Sequence, residues 1–138
     1  MSVRKFIIAI TLAATSLIPV IASAGTRAKD RCVLVGHRVN SVKRYEVVEW
    51  RGRSASYRLA GAQVYVQAEP GLTAQWLQLT IERHLAQMRS RHMGDCVLEL
   101  NGLQVQVDSA GSGFAVRIVA KDPGQAKEVL RRAELLQG

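Results

Sequence analysis

The chain has 138 residues, 48% of them hydrophobic, with 19 Lys+Arg against 11 Asp+Glu and a formal net charge of +8. That length fits one domain with a real but modest core, not several. Past the first two dozen residues no apolar run is long enough to span a bilayer.

In chain order, Arg4 and Lys5 precede an apolar run from Phe6 to Ile21 broken only by Thr11, Thr15, Ser16 and Pro19. Ala22-Ser23-Ala24 follows, the small-residue pattern that signal peptidase accepts. Residues 1–24 are therefore expected to be a cleaved secretory signal. No cysteine stands at the cut, which argues against a lipid anchor. The expected location is a bacterial periplasm or the exterior, with no transmembrane span once the signal is removed.

Residues 25–58 read as a basic, partly extended N-terminal segment. Arg27, Lys29, Arg31, Arg38, Lys43, Arg44, Arg51, Arg53 and Arg58 stand there against Asp30, Glu46 and Glu49 only. From Leu59 onward basic and acidic residues balance. Val33-Leu34-Val35 could form a short strand, and Tyr45 to Trp50 another, with a turn at Arg51-Gly52-Arg53-Ser54. In the run from Tyr57 to Ala68, Ala62, Val64 and Val66 alternate with Gln63, Tyr65 and Gln67, the period of a half-buried strand. Pro70-Gly71 ends it.

A helix is predicted from about Thr73, its N-cap, to Ser90. Ala74, Leu77, Ile81, Leu85 and Met88 share one face, while Leu72, Trp76, Leu79 and Ala86 form a weaker stripe on the opposite side. A second apolar stripe suits a second partner, so Leu72, Trp76 and Leu79 are candidates for an oligomer contact. Cys96 to Leu100 and Leu103 to Ser109 flank Asn101-Gly102, a strong hairpin signal. Gly111-Ser112-Gly113 marks a further turn into alternating Phe114, Val116, Ile118 and Ala120. Asp122-Pro123 then opens a last helix as N-cap and N1. Ala126, Val129, Leu130, Ala133 and Leu136 face inward on that helix, and Arg131 and Arg132 face solvent. Residues 59–138 thus read as one α+β domain, a small antiparallel three- to four-stranded sheet with two helices packed on one face.

Catalytic signatures are missing. His37, His84 and His92 are the three histidines, and there is no Gly-x-Ser-x-Gly elbow, phosphate-cradling loop or HExxH motif. Gly111-Ser112-Gly113 falls in a turn, where glycine is needed for its backbone. An enzyme is not expected.

Cys32 and Cys96 are the two cysteines. In an oxidising compartment a bridge between them is favoured over free or metal-binding thiols. Closing so long a loop would add roughly 4 kcal/mol of stability in the chain-entropy model. A soft-metal reading competes for Cys96. His84, Met88 and His92 recur at four-residue spacing, with Met93 and Cys96 next in line, and imidazole, thioether and thiolate are donors that copper(I) accepts. Met88 also lies within the core stripe, His84 at its edge and His92 past the helix, so packing competes with ligation at each. No cofactor motif is present, and copper is the one candidate metal.

Arg38, Lys43, Arg44, Arg51, Arg53 and Arg58 interleave with Tyr45, Trp50 and Tyr57. Cations among aromatics can hold polyanions. For an exported chain these would be lipid headgroups, lipopolysaccharide phosphates or acidic glycans rather than nucleic acid. A solvated charge set with no partner is the competing reading.

The run Ala68-Glu69-Pro70-Gly71-Leu72-Thr73-Ala74-Gln75-Trp76-Leu77, then His84, then His92-Met93 shortly before Cys96, Gly113-Phe114-Ala115-Val116 and Val129-Leu130-Arg131-Arg132-Ala133 resemble small exported bacterial proteins of uncharacterised function over about residues 61–136. The resemblance implies an exported single domain and carries over no catalytic or binding role. The expected function is a non-enzymatic periplasmic or secreted binding or accessory module. Its alternatives are soft-metal binding through His84, Met88, His92, Met93 and Cys96, or binding of an anionic envelope surface or polyanion through the basic segment 27–58; the expected partners are envelope polyanions or another protein.

Overall fold

The computed structural model describes residues 32–88 and 94–137. The expected signal at 1–24, Arg27, Lys29, Arg31, His92 and Met93 lie outside the described residues. The elements are β1 (Val39–Arg51), β2 (Ser54–Gln67), α1 (Ala74–Met88), β3 (Gln104–Ala110), β4 (Gly113–Val119) and α2 (Pro123–Glu134). The strands form one open antiparallel sheet in the order β1-β2-β4-β3, so the architecture is α+β with four strands.

Register explains where the core lies. Val64 pairs with Val116 and Ala62 with Ile118, and Val116 and Ile118 pair in turn with Val107 and Val105. Residues directly opposite share a face, so these side chains make one apolar layer. Leu77 and Ile81 of α1 and Ala126, Val129 and Ala133 of α2 belong to the same buried cluster, which places both helices on that face. The helix starts are as the sequence implies. Thr73 Oγ1 accepts from the Trp76 amide at 3.1 Å, and Asp122 Oδ2 accepts from the Gln125 amide at 2.8 Å, with Pro123 following.

Four expectations change. Val33–Gly36 is a 3-10 turn rather than a strand. The expected strand Cys96–Leu100 is instead a 3-10 turn at Val97–Glu99. Val97 and Leu98 are both buried there, and the segment is held by the Cys96 bridge and by Arg132 rather than by a strand partner. Asn101-Gly102 therefore leads into β3 without making a hairpin, and the hairpin turn falls at Gly111-Ser112 between β3 and β4. Arg132 is not on the solvent side. Its guanidinium donates to the Cys96 carbonyl at 3.0 Å and reaches Glu128 and Glu99, tying α2 to the 97–99 turn.

The two sheet edges are treated differently. At β3 the Gln78 side chain acts as a short strand: its Nε2 donates to the Val105 carbonyl at 3.1 Å and its Oε1 accepts from the Val107 amide at 2.7 Å. Such capping satisfies edge groups that would otherwise recruit another strand. At β1 no described strand lies beyond the outer edge.

β1 and β2 are the longest strands, and they outrun the sheet. β4 stops pairing at Val119 opposite Gly61. There β2 carries a bulge, because Tyr45 pairs with Gly61 and Glu46 with Leu59. Gly61 has φ +154°, and a Cβ there would sit 1.9 Å from the Ile118 carbonyl oxygen, so only glycine fits where the ribbon leaves the sheet. Beyond the bulge β1 and β2 continue as a two-stranded arm, residues 46–59, turning at Gly52-Arg53. At about 3.4 Å per residue the arm projects roughly 17 Å.

Candidate functional site

Two places gather chemistry. One is the corner where α1 meets the loop ends. Cys32 and Cys96 form a disulfide across 64 residues of sequence, with their Cα atoms 5.2 Å apart. Cys32 precedes the 33–36 turn and Cys96 precedes the 97–99 turn, so the bridge staples two segments that have no ladder of their own. His84, on the buried stripe of α1, brings Nε2 to 3.6 Å from Cys96 Sγ. With both sulfurs joined, any hydrogen in that contact sits on Nε2. Burial lowers the His84 pKa by disfavouring the charged form, so the imidazole at neutral pH is uncharged.

Of the expected soft donors, the structure brings His84 and Cys96 together and adds Cys32, with all three ligand atoms within 4.8 Å of one another. Met88 is buried in the α1 stripe and lines a shallow cavity of about 170 Å³ with Leu85, Leu98, Leu100 and Leu103. His92 and Met93 lie outside the described residues. In sequence Cys32 is a metal ligand only as one of two thiols weighed against a bridge; no spacing ties it to His84, which the fold alone brings near.

The second place is the arm. Register sorts its residues into two faces. Leu59, Val48, Tyr57, Trp50 and Ala55 share the face that the helices cover further along, with Glu46 at the base. Val47, Arg58, Glu49, Ser56, Arg51 and Ser54 occupy the other. The core's apolar strip thus runs on past the helices without cover. Trp50 is 71% exposed, Tyr57 74% and Val48 46%. Arg58 is ion-paired with Glu49 and Arg44 with Glu46, the latter at 3.2 Å. Arg51 and Arg53, at the tip, have no ion pair among the described residues.

The six cations named from sequence do not make one patch. Arg51, Arg53 and Arg58 are on the arm. Lys43 lies on the uncovered face of the sheet, its ammonium 5.3 Å from the Tyr65 ring centre. Beside it Arg117 packs over the Tyr45 ring and pairs with Asp108. Arg38 lies at the far end of β1, where it lines a cavity of about 270 Å³ with Leu135 and Leu136. What the charge count missed is the apolar strip on the arm face opposite Arg51 and Arg58. The signal was present in Val48, Trp50 and Tyr57, but alternation alone cannot say that the helices stop short of them.

The second stripe of α1 also stays uncovered, with Trp76 and Leu79 half exposed and Leu72 partly buried. Trp76 meets His37 edge to face, and His37 reaches Glu69 at 3.3 Å, which fastens the start of β1 to the loop before α1. No helix among the described residues is long and apolar enough to cross a membrane. No family model, no curated protein and no solved structure matches this chain.

Proposed function

We propose that this protein is a non-enzymatic envelope module, periplasmic or secreted, that docks on anionic membrane surfaces through the arm at 46–59. One observation carries the reading: a projecting two-stranded ribbon presents Trp50, Tyr57 and Val48 to solvent beside the tip cations Arg51 and Arg53. A glycan or a free phosphate polymer would answer the charge and leave the apolar strip wet. A lipid surface answers both, because its headgroups take the guanidinium groups and its interfacial layer takes the aromatic rings. Each arginine near an anionic leaflet contributes about 1 kcal/mol, and the rings add apolar burial.

The test is co-sedimentation with vesicles. Binding to vesicles containing phosphatidylglycerol, weak binding to phosphatidylcholine alone and decline with added salt are expected. Arg51→Glu with Arg53→Glu should lower affinity about thirtyfold or more, two arginine contributions converted to a ratio. Equal binding to both vesicle types, or affinity unmoved by the double substitution, contradicts the reading. Concentration-dependent dimerisation abolished by Trp50→Ala, without vesicle binding, assigns the strip to a second copy instead.

A further inference from the structure

We propose that the Cys32–Cys96 pair is also a concealed soft-metal site: once reduced, Cys32, Cys96 and His84 form a two-thiolate, one-imidazole set for a copper(I) ion. The disulfide itself asks nothing of residue 84. A leucine would continue the stripe of Leu77 and Ile81, yet a histidine stands there, largely buried, with Nε2 at 3.6 Å from Cys96 Sγ. The three donors come from three separate segments and already lie within 4.8 Å of one another. Metal–sulfur bonds of about 2.3 Å and metal–nitrogen bonds of about 2.0 Å need only that much convergence. Thiolate and imidazole donors suit a soft d10 ion. All three residues are less than a tenth exposed, which favours an ion content with three ligands over zinc, which takes a fourth.

The chemistry balances with a dithiol reductant. Its thiolate attacks one sulfur of the bridge, the S–S bond breaks, and a mixed disulfide forms. The second thiol of the reductant resolves it, leaving as a disulfide that has given up two electrons, while Cys32 and Cys96 gain them as thiols. Copper(I) then displaces the thiol protons to solvent and is held by Sγ of both cysteines and by a His84 ring nitrogen. Oxidation of the pair removes both thiolates, so the site exists in one redox state only.

The measurement is competition for copper(I) against a chromophoric chelator, on the protein kept oxidised and on the protein reduced with a phosphine. The reduced protein should take up one equivalent with a thiolate-to-copper ultraviolet band, and the oxidised protein none. His84→Ala should weaken uptake at least tenfold while leaving the oxidised fold intact by circular dichroism. Should reduction unfold the chain, copper(I) should restore the native spectrum in wild type and fail to do so in His84→Ala. No uptake on reduction, equal uptake by His84→Ala, equal uptake by the oxidised protein, or tighter retention of zinc than of copper(I) would each overturn the assignment.

Discussion

The Cys32/His84/Cys96 corner and the arm at 46–59 treat their side chains in opposite ways, one by burying them and the other by exposing them. In the corner, two sulfurs and an imidazole are closed off under α1, among the buried Leu34, Leu77, Ile81, Val97 and Leu98. On the arm, a tryptophan and a tyrosine are held out on a ribbon that, among the described residues, no third strand pairs with. Burial makes the first region a source of stability. Its absence makes the second a surface with an unmet demand for an apolar partner, since isolated exposed hydrophobics are ordinary but a contiguous strip of them on a ribbon tipped with cations points outward.

Substitutions should separate the two regions sharply. The largest effect belongs to the corner: Cys32→Ser with Cys96→Ser should lower the unfolding free energy by about 4 kcal/mol, read from urea titration, because the bridge restrains so long a stretch of unfolded chain. Next comes the core face of α1, where Ile81→Ala should cost about 3 kcal/mol through lost burial and a cavity. Tyr57→Ala or Trp50→Ala on the arm should instead stay within about 0.5 kcal/mol of wild type in the same titration. Those two should lower affinity for anionic vesicles about tenfold each. A large stability loss on the arm with no change in binding would invert the comparison.

The smallest expected effect sits on α2 and depends on pH. Hydrogen bonds from Arg131 and then Arg132 hold the Glu128 carboxyl down to about 2. Its folded-state pKa is depressed, so its contribution is complete above the unfolded value near 4.5 and is lost as pH falls towards about 2. Because the group is solvent-exposed, that contribution is slight. Glu128→Gln should therefore flatten the stability profile between those pH values, lowering stability slightly at neutrality and leaving it unchanged near pH 2, measured by thermal unfolding across pH. Its influence on the corner runs through Arg132, which also holds the Cys96 carbonyl.

Much of the architecture was legible from residue patterns. The alternation at Ala62, Val64 and Val66, the stripe of α1 and the Asp122-Pro123 start of α2 each reported a local period that the fold keeps. What failed was local too. Asn101-Gly102 carries the turn chemistry of a hairpin, but the residues before it are pinned by the Cys96 bridge and by Arg132, a constraint set by atoms distant in sequence. The candidate sites were half legible. Histidine and cysteine positions at 84 and 96 could be named, whereas the third donor at Cys32 becomes a neighbour only through the fold. Cations on β1 and β2 could be counted. Which of them stand beside bare aromatic rings depends on where β4 stops, and that length is not written in β1 or β2.

The docking claim is tested most directly at Trp50. Trp76→Phe leaves Trp50 as the sole tryptophan of the chain. Its emission should shift to the blue on titration with phosphatidylglycerol vesicles, be quenched by brominated acyl chains, and return to the free spectrum when salt is raised. Emission that stays at its solvent-exposed wavelength through the same titration, with the protein folded, would contradict membrane docking by the arm.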